Sequence, residues 1–221
     1  MLPWLTPTLE DLLVEAAWQT AAMVFISIAV AVALGLPLAL LLHGTGPGGL
    51  RPSGVVNRPL GLLVNAVRST PFIILMVAIV PFTRLVAGTS IGTAAAIVPL
   101  ALAATAFIAR LFEGALREVD RGVVEAARAM GATRAQILLK VLVPEAMPGL
   151  IAAVTVTLVS LVGYSAMAGA VGGGGLGDLG IRFGYQRFMP EVMATVVVLL
   201  ILFVQLLQSL GDWLVRRVSH R

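Results

Sequence analysis

Apolar residues run through this 221-residue chain almost without a break, and the few polar interruptions leave five apolar stretches at about 18–42, 71–86, 91–108, 150–171 and 192–215. A bilayer crossing needs about 20 predominantly apolar residues in helical form, so each stretch predicts a membrane-spanning helix. The second is the shortest. It reaches a full span only by extending back through residues 62–67, which puts Arg68 and Pro71 inside the helix or at its mouth. Five crossings place the two ends of the chain on opposite sides. The pattern predicts an all-α integral membrane protein with one membrane domain over residues 1–221, a core at about 16–212 and a polar connecting loop at about 110–148.

Residues 125–150, EAARAMGATRAQILLKVLVPEAMPGL, are the longest polar interruption and carry the densest mixture of charges. Val123, Ala126, Ala127 and Met130 recur at helical spacing, Gly131 breaks the run, and Ile137, Leu138, Val141 and Leu142 resume it as far as Pro144 and Pro148. Two short helices hinged at a glycine follow from this. Arg128, Arg134 and Lys140 stand off the apolar stripe, so the segment is expected to rest one face on the membrane-embedded body and offer the other to a partner.

Composition narrows the class. The chain is 59% hydrophobic and 12% charged, with mean hydropathy +1.01, against about 25% charged in an ordinary soluble domain. The net charge of +4 is dispersed at the ends of apolar stretches, which marks topology rather than nucleic-acid binding. Of the 15 basic residues, only Arg84, Arg182 and Arg187 fall on the side away from the 125–150 segment; the others, Arg221 among them, share its side. Positive charge collects in the cytoplasm, so this reading puts that segment and the C-terminus inside and the N-terminus outside. Near its start the chain carries Glu10, Asp11 and Glu15 instead of a basic cluster, which favours a retained helix over a cleaved signal peptide.

Enzyme chemistry finds little to use. The chain has no cysteine, and its two histidines, His43 and His220, are expected in a loop and the tail, far from any acidic cluster. Glu113, Glu118, Asp120 and Glu145 interleave with arginines in or beside the polar loop, the pattern of solvated, mutually paired charge. Gly172, Gly174 and Gly177 match a dinucleotide fingerprint, yet a membrane span precedes them where a strand is required. They are better read as a sharp turn at the membrane surface. Gly88 and Gly92 have helix-packing spacing but sit where a turn fits as well. The only lysine, Lys140, follows no glycine-rich loop, so the chain has no P-loop for ATP. In the fourth stretch Thr157, Ser160, Tyr164 and Met167 recur three or four residues apart and place polar, adaptable groups on one helix face. That face is either a translocation path or a site of interhelical hydrogen bonding. Gln205 and Gln208, near the end of the fifth stretch, suit an interhelical role. Residues 172–187 form a segment too polar to cross, either facing an external partner or capping the external mouth.

The sequence Glu125-Ala126-Ala127, followed by Gly131, Ile137 and Pro144, resembles the EAA loop of ABC-transporter permease subunits. The segments STPFII at 69–74, PFTR at 81–84, GTSIG at 88–92, GYSAM at 163–167 and GGGGLGD at 172–178 are similar to the permeases of methionine-uptake importers. The resemblance covers the chain from about Ser69 onward. It implies the type-1 ABC importer permease fold in the bacterial inner membrane, surrounded by lipid and working as a homodimer. It further implies two copies of a separate ATPase subunit, which bind ATP and magnesium, and an extracytoplasmic substrate-binding protein or lipoprotein. Glu125, Ala126, Ala127, Met130 and Gly131 would be the coupling residues, and D- and/or L-methionine the substrate. The rival readings are a permease for another small amino acid or an osmolyte, and a self-sufficient secondary transporter. The latter calls for membrane-buried carboxylates and often an internal repeat, neither of which is seen.

Overall fold

The computed structural model describes residues 7–219, so His220 and Arg221 lie outside the described residues. Backbone polar groups have no water to bond in the bilayer core, and these apolar sequences satisfy them within helices. Among the described residues four helices are long and apolar enough to cross unbroken: α1 (Pro7–Thr45), α5 (Thr93–Arg117), α9 (Met147–Ala168, continued by a wide π-helical turn to Gly173) and α11 (Pro190–Val218).

The fifth candidate crossing is a bent pair. Helices α2 (Gly54–Ser69) and α3 (Phe72–Ala78) meet at 108°. The cause is local: Thr70 is extended (φ −82°, ψ 126°), as a residue before proline prefers, and Pro71 offers no N–H to continue the helix. The 71–86 stretch is therefore not one helix. Ile79 leaves helical geometry, and α4 (Val80–Ala87) starts afresh with Pro81 in its first turn. Gly88 (φ 72°) ends α4 and Gly92 (φ 90°) opens α5, so this glycine pair makes a turn and not a packing face.

The core lies where α1, α5 and α9 meet, around Met23, Val24, Ile28 and Ala31 of α1, Leu100, Ala104, Ile108 and Phe112 of α5, and Ala153, Leu161 and Val162 of α9. Small residues set the spacing, since lipid gives helices no hydrophobic incentive to associate and close packing must supply it. On α11, a Cβ placed on Gly211 would come within 2.1 Å of Thr155 Oγ1 on α9.

At the other end of the bundle the polar segment 172–187 folds back on the helices. Short helix α10 (Gly175–Leu179) and the wide turns Gly180–Tyr185 bury Leu176 and Leu179 against Leu9, Leu13, Val192 and Val196. Side chains of α1 take the first donors of α10: Gly175 N–H donates to Gln19 Oε1 at 2.8 Å and Leu176 N–H to Thr20 Oγ1 at 2.9 Å. Asp178 pairs with Arg182, and the Arg187 guanidinium lies over the Phe183 ring. The segment caps its end of the bundle and leaves Tyr185 and Phe188 exposed.

Candidate functional site

The connecting segment is built from sequence-local stops and starts. Asp120 caps α6 (Arg121–Ala129) by accepting from Gly122 N–H at 2.6 Å. The helix ends in a Schellman motif: Gly131 N–H donates to Arg128 C=O at 2.9 Å and Ala132 N–H to Ala127 C=O at 3.1 Å. Gly131 supplies the left-handed residue this needs, with φ 80°. Thr133 and Gln136 then form a capping box that starts α7 (Arg134–Gln136), which runs through the wide turns Ile137–Leu142 and α8 (Val143–Glu145) into α9. The glycine hinge between two helical pieces is observed. The prolines do not stop the second piece: Pro144 and Pro148 occupy the first turns of α8 and α9, where a missing N–H costs nothing.

The apolar positions of α6 divide between two faces. Ala127 is 4% exposed and Val124 packs beside it against the core, whereas Val123, Ala126 and Met130 point away and Met130 is 82% exposed. The single stripe expected from spacing is thus an inner strip and an outer apolar patch. Ile137 and Leu142 are buried in the same cluster as Phe112, Leu116 and Leu150, so the segment is seated on the ends of α5 and α9. Displacing it must displace them, because packed cores transmit strain.

Glu125 is exposed, has no ion pair among the described residues and lies five residues into α6, beyond the reach of the helix dipole. Asp120 holds the helix start. Glu125 borders a cleft of about 460 Å³ whose walls include His43, Arg117, Arg121, Arg128 and the turn Gly46–Leu50. His43 belongs to the last turn of α1 and not to a loop. Likewise α5 runs on through Arg110, Glu113 and Arg117, so those charges sit on a helix and the loop proper starts at Glu118. Glu113 is not solvated. It is buried between Arg110, at 2.6 Å, and Arg117, and Arg110 also donates to Gly61 C=O of α2 at 3.0 Å.

On α9 the four residues of the polar face part company. Thr157 is buried and its hydroxyl donates to Ala153 C=O at 2.7 Å, within its own helix. Ser160 donates to Val156 C=O at 2.9 Å. Tyr164 stacks on Phe72 of α3 with ring centroids 4.9 Å apart, and Met167 is exposed. Gln205 and Gln208 are exposed on α11.

Residues 31–221 match the family described as binding-protein-dependent transport system inner membrane component. The chain belongs to that family. It is a multi-pass bacterial inner-membrane protein with the type-1 importer fold, a permease subunit of an ABC importer whose ATP hydrolysis lies on another subunit. Among its relatives is the probable D-methionine transport system permease protein MetI of Vibrio cholerae, 58% identical over 96% of this chain and 94% of that protein. The corresponding protein of Pasteurella multocida is 48% identical over 98% of this chain and 100% of that one. Among solved structures, a chain of the MetNI methionine ABC transporter in inward-facing conformation superposes with TM-score 0.96 at 50% identity, over 98% of this chain and 100% of that chain. An amino acid ABC transporter solved with histidines shares the fold at 19% identity and TM-score 0.79, over 95% of each chain.

Three features of the permease site lay outside the expectations from sequence: the Asp120 cap, the Thr133–Gln136 capping box and the buried Glu113 cluster. The box has a readable signature, Thr-x-x-Gln after a glycine. The Glu113 cluster shows itself only as opposite charges at helical spacing, a pattern shared by solvated helix ends.

Proposed function

We propose that this permease imports methionine, in the D and/or L form, as a homodimer served by two ATPase subunits and an extracytoplasmic binding protein or lipoprotein. The observation that carries the substrate is the match to a methionine permease along nearly the whole of both chains, 58% identity over 96% of this chain and 94% of that protein. The homodimer is supported by the helix inventory. Five crossings are few to enclose a path, and the apolar face of α11 through Val198, Ile201, Leu202 and Leu206 is uncovered in one copy.

In this mechanism α6 is the coupling helix. Its outer patch of Val123, Ala126 and Met130, with Glu125 beside it, seats on the ATPase, and its inner residues Val124 and Ala127 rest on the permease core. Closure of the two ATPases on ATP carries both coupling helices together. The Gly131 hinge and the buried Ile137 and Leu142 pass that motion to α5 and α9 and switch access between the two sides of the membrane. Ser160, Tyr164 and Met167 are the groups offered to substrate. Thr157 supports them from the packed side, its hydroxyl already satisfied. The coupling segment and the C-terminal end face the cytoplasm and the 172–187 cap faces outward, consistent with the distribution of Arg and Lys.

Uptake into proteoliposomes holding the permease, its ATPase and its binding protein tests this reading. Labelled methionine should accumulate with ATP hydrolysis rising in step, and unlabelled D- or L-methionine should compete. Transport stimulated by another amino acid, with methionine inert, would overturn the substrate assignment.

A further inference from the structure

The cleft beside the coupling helix has a chemistry that coupling does not use. Arg121 and Arg128 project from α6 one above the other and form no ion pair among the described residues. Arg117 completes the wall from the end of α5, and the carboxylate it touches, Glu113, is already shared with Arg110. His43 faces them from the last turn of α1. Against these groups the lining sets one unshared carboxylate, Glu125. Leu116 and Leu142 add apolar lining, and the turn Gly46–Leu50, three of whose five residues are glycine, adds backbone to the wall. At about 460 Å³ the cleft falls within the range of about 300–1,000 Å³ usual for small-ligand sites.

We propose that this cleft binds a phosphate-bearing anion. Guanidinium groups favour phosphate because their donors match its oxygens in pairs, and three of them on one wall exceed what Glu125 neutralises. The site has two candidate sources of that phosphate. The cleft opens where α1 leaves its apolar run, and basic pockets between helices on the cytoplasmic side hold anionic headgroups. A free phosphate anion from the aqueous side has the same contacts available. The proposal leaves the substrate question untouched, so its failure and that of the methionine reading are separately visible.

The experiment uses the purified permease–ATPase complex in two settings: nanodiscs containing phosphatidylglycerol, and phosphatidylcholine nanodiscs with inorganic phosphate added. Native mass spectrometry counts retained phosphatidylglycerol, and phosphate titration is followed by the fluorescence of a probe at Ser53→Cys, beside the Gly46–Leu50 turn. One anion per permease chain is expected in one setting or the other, and the setting identifies its source. The pair Arg121→Gln with Arg128→Gln should weaken it about tenfold or more. The pair Arg216→Gln with Arg217→Gln, at the far end of α11, should leave it unchanged. Absence of an anion in both settings overturns the proposal, as does equal loss in the two double variants. Binding that appears in the permease alone and vanishes in the ATPase complex also overturns it, since the cleft would then be part of the docking surface.

Discussion

The Glu113 carboxylate lies 2.6 Å from the Arg110 guanidinium, close to where α5 gives way to the polar connecting segment. Arg117 meets the other carboxylate oxygen, and Arg110, held by Glu113, reaches across to Gly61 C=O and ties α5 to α2. Glu113→Gln keeps the size and removes the charge, leaving Arg110, whose side chain is only 22% exposed, without its counterion. A loss of ~1–3 kcal/mol is expected, seen as a lower thermal midpoint in detergent. Arg117→Gln should cost less than ~1 kcal/mol, because that side chain is 60% exposed and water replaces the partner. The reverse order of the two midpoints would remove Glu113 from its place as the anchor.

Gly131 tests conformation separately from contact. Its φ is 80° and a Cβ there would meet nothing within 4 Å, so in the free permease alanine and leucine should cost alike, ~1–2 kcal/mol, with asparagine milder. In the ATPase complex they should separate, Gly131→Leu losing transport more than Gly131→Ala, with binding-protein docking unchanged. Transport is compared at matched membrane abundance. Equal and full transport by both variants would show that the hinge does not carry the stroke.

The crossings were legible in the sequence because lipid leaves a backbone few choices, and the Gly131 hinge because a left-handed residue between two periodic runs has few alternatives. The second crossing was less so. Pro71 and Thr70 announce a break, but which of the flanking pieces forms the crossing depends on packing: Val64 of α2 against Leu42 and Ala106, and Phe72 of α3 against Tyr164. The inner and outer faces of α6 were not separable by spacing. A surface that docks another polypeptide is apolar too, so Val123, Ala126 and Met130 carry the same signal as Ala127. Glu113 was misread as solvated for a related reason: pairing at three and four residues is visible along a helix, but burial by neighbouring elements is not.

The chain has no native cysteine, which makes its orientation directly testable. Met130→Cys and Thr133→Cys should react with a membrane-impermeant maleimide only when the cytoplasmic face is opened. Tyr185→Cys and Phe188→Cys, exposed at the opposite end, should react in intact cells. Labelling of the first set alone from the outside would invert the topology, and labelling of both sets would break the five-crossing count.

The two faces of α6 make opposite predictions for one substitution. Glutamate at Met130 enters a position already 82% exposed, so the permease should keep its thermal midpoint to within ~0.5 kcal/mol equivalent. If the outer patch seats in an ATPase groove, the same charge is desolvated on docking, and complex formation should weaken by ~2 kcal/mol or more, about thirtyfold in Kd. Glutamate at Ala127 instead enters a packed position, 4% exposed, with Ile137 and Phe112 in the same cluster. It should destabilise the permease itself by ~3 kcal/mol or more and lose the ATPase only as a consequence. Melting of the isolated permease and co-purification with the ATPase, measured on both variants, separate the faces. A Met130→Glu permease that binds its ATPase as tightly as the parent would place the docking surface elsewhere on the segment, and Leu139, 61% exposed beyond the Gly131 hinge, would be the next position to charge.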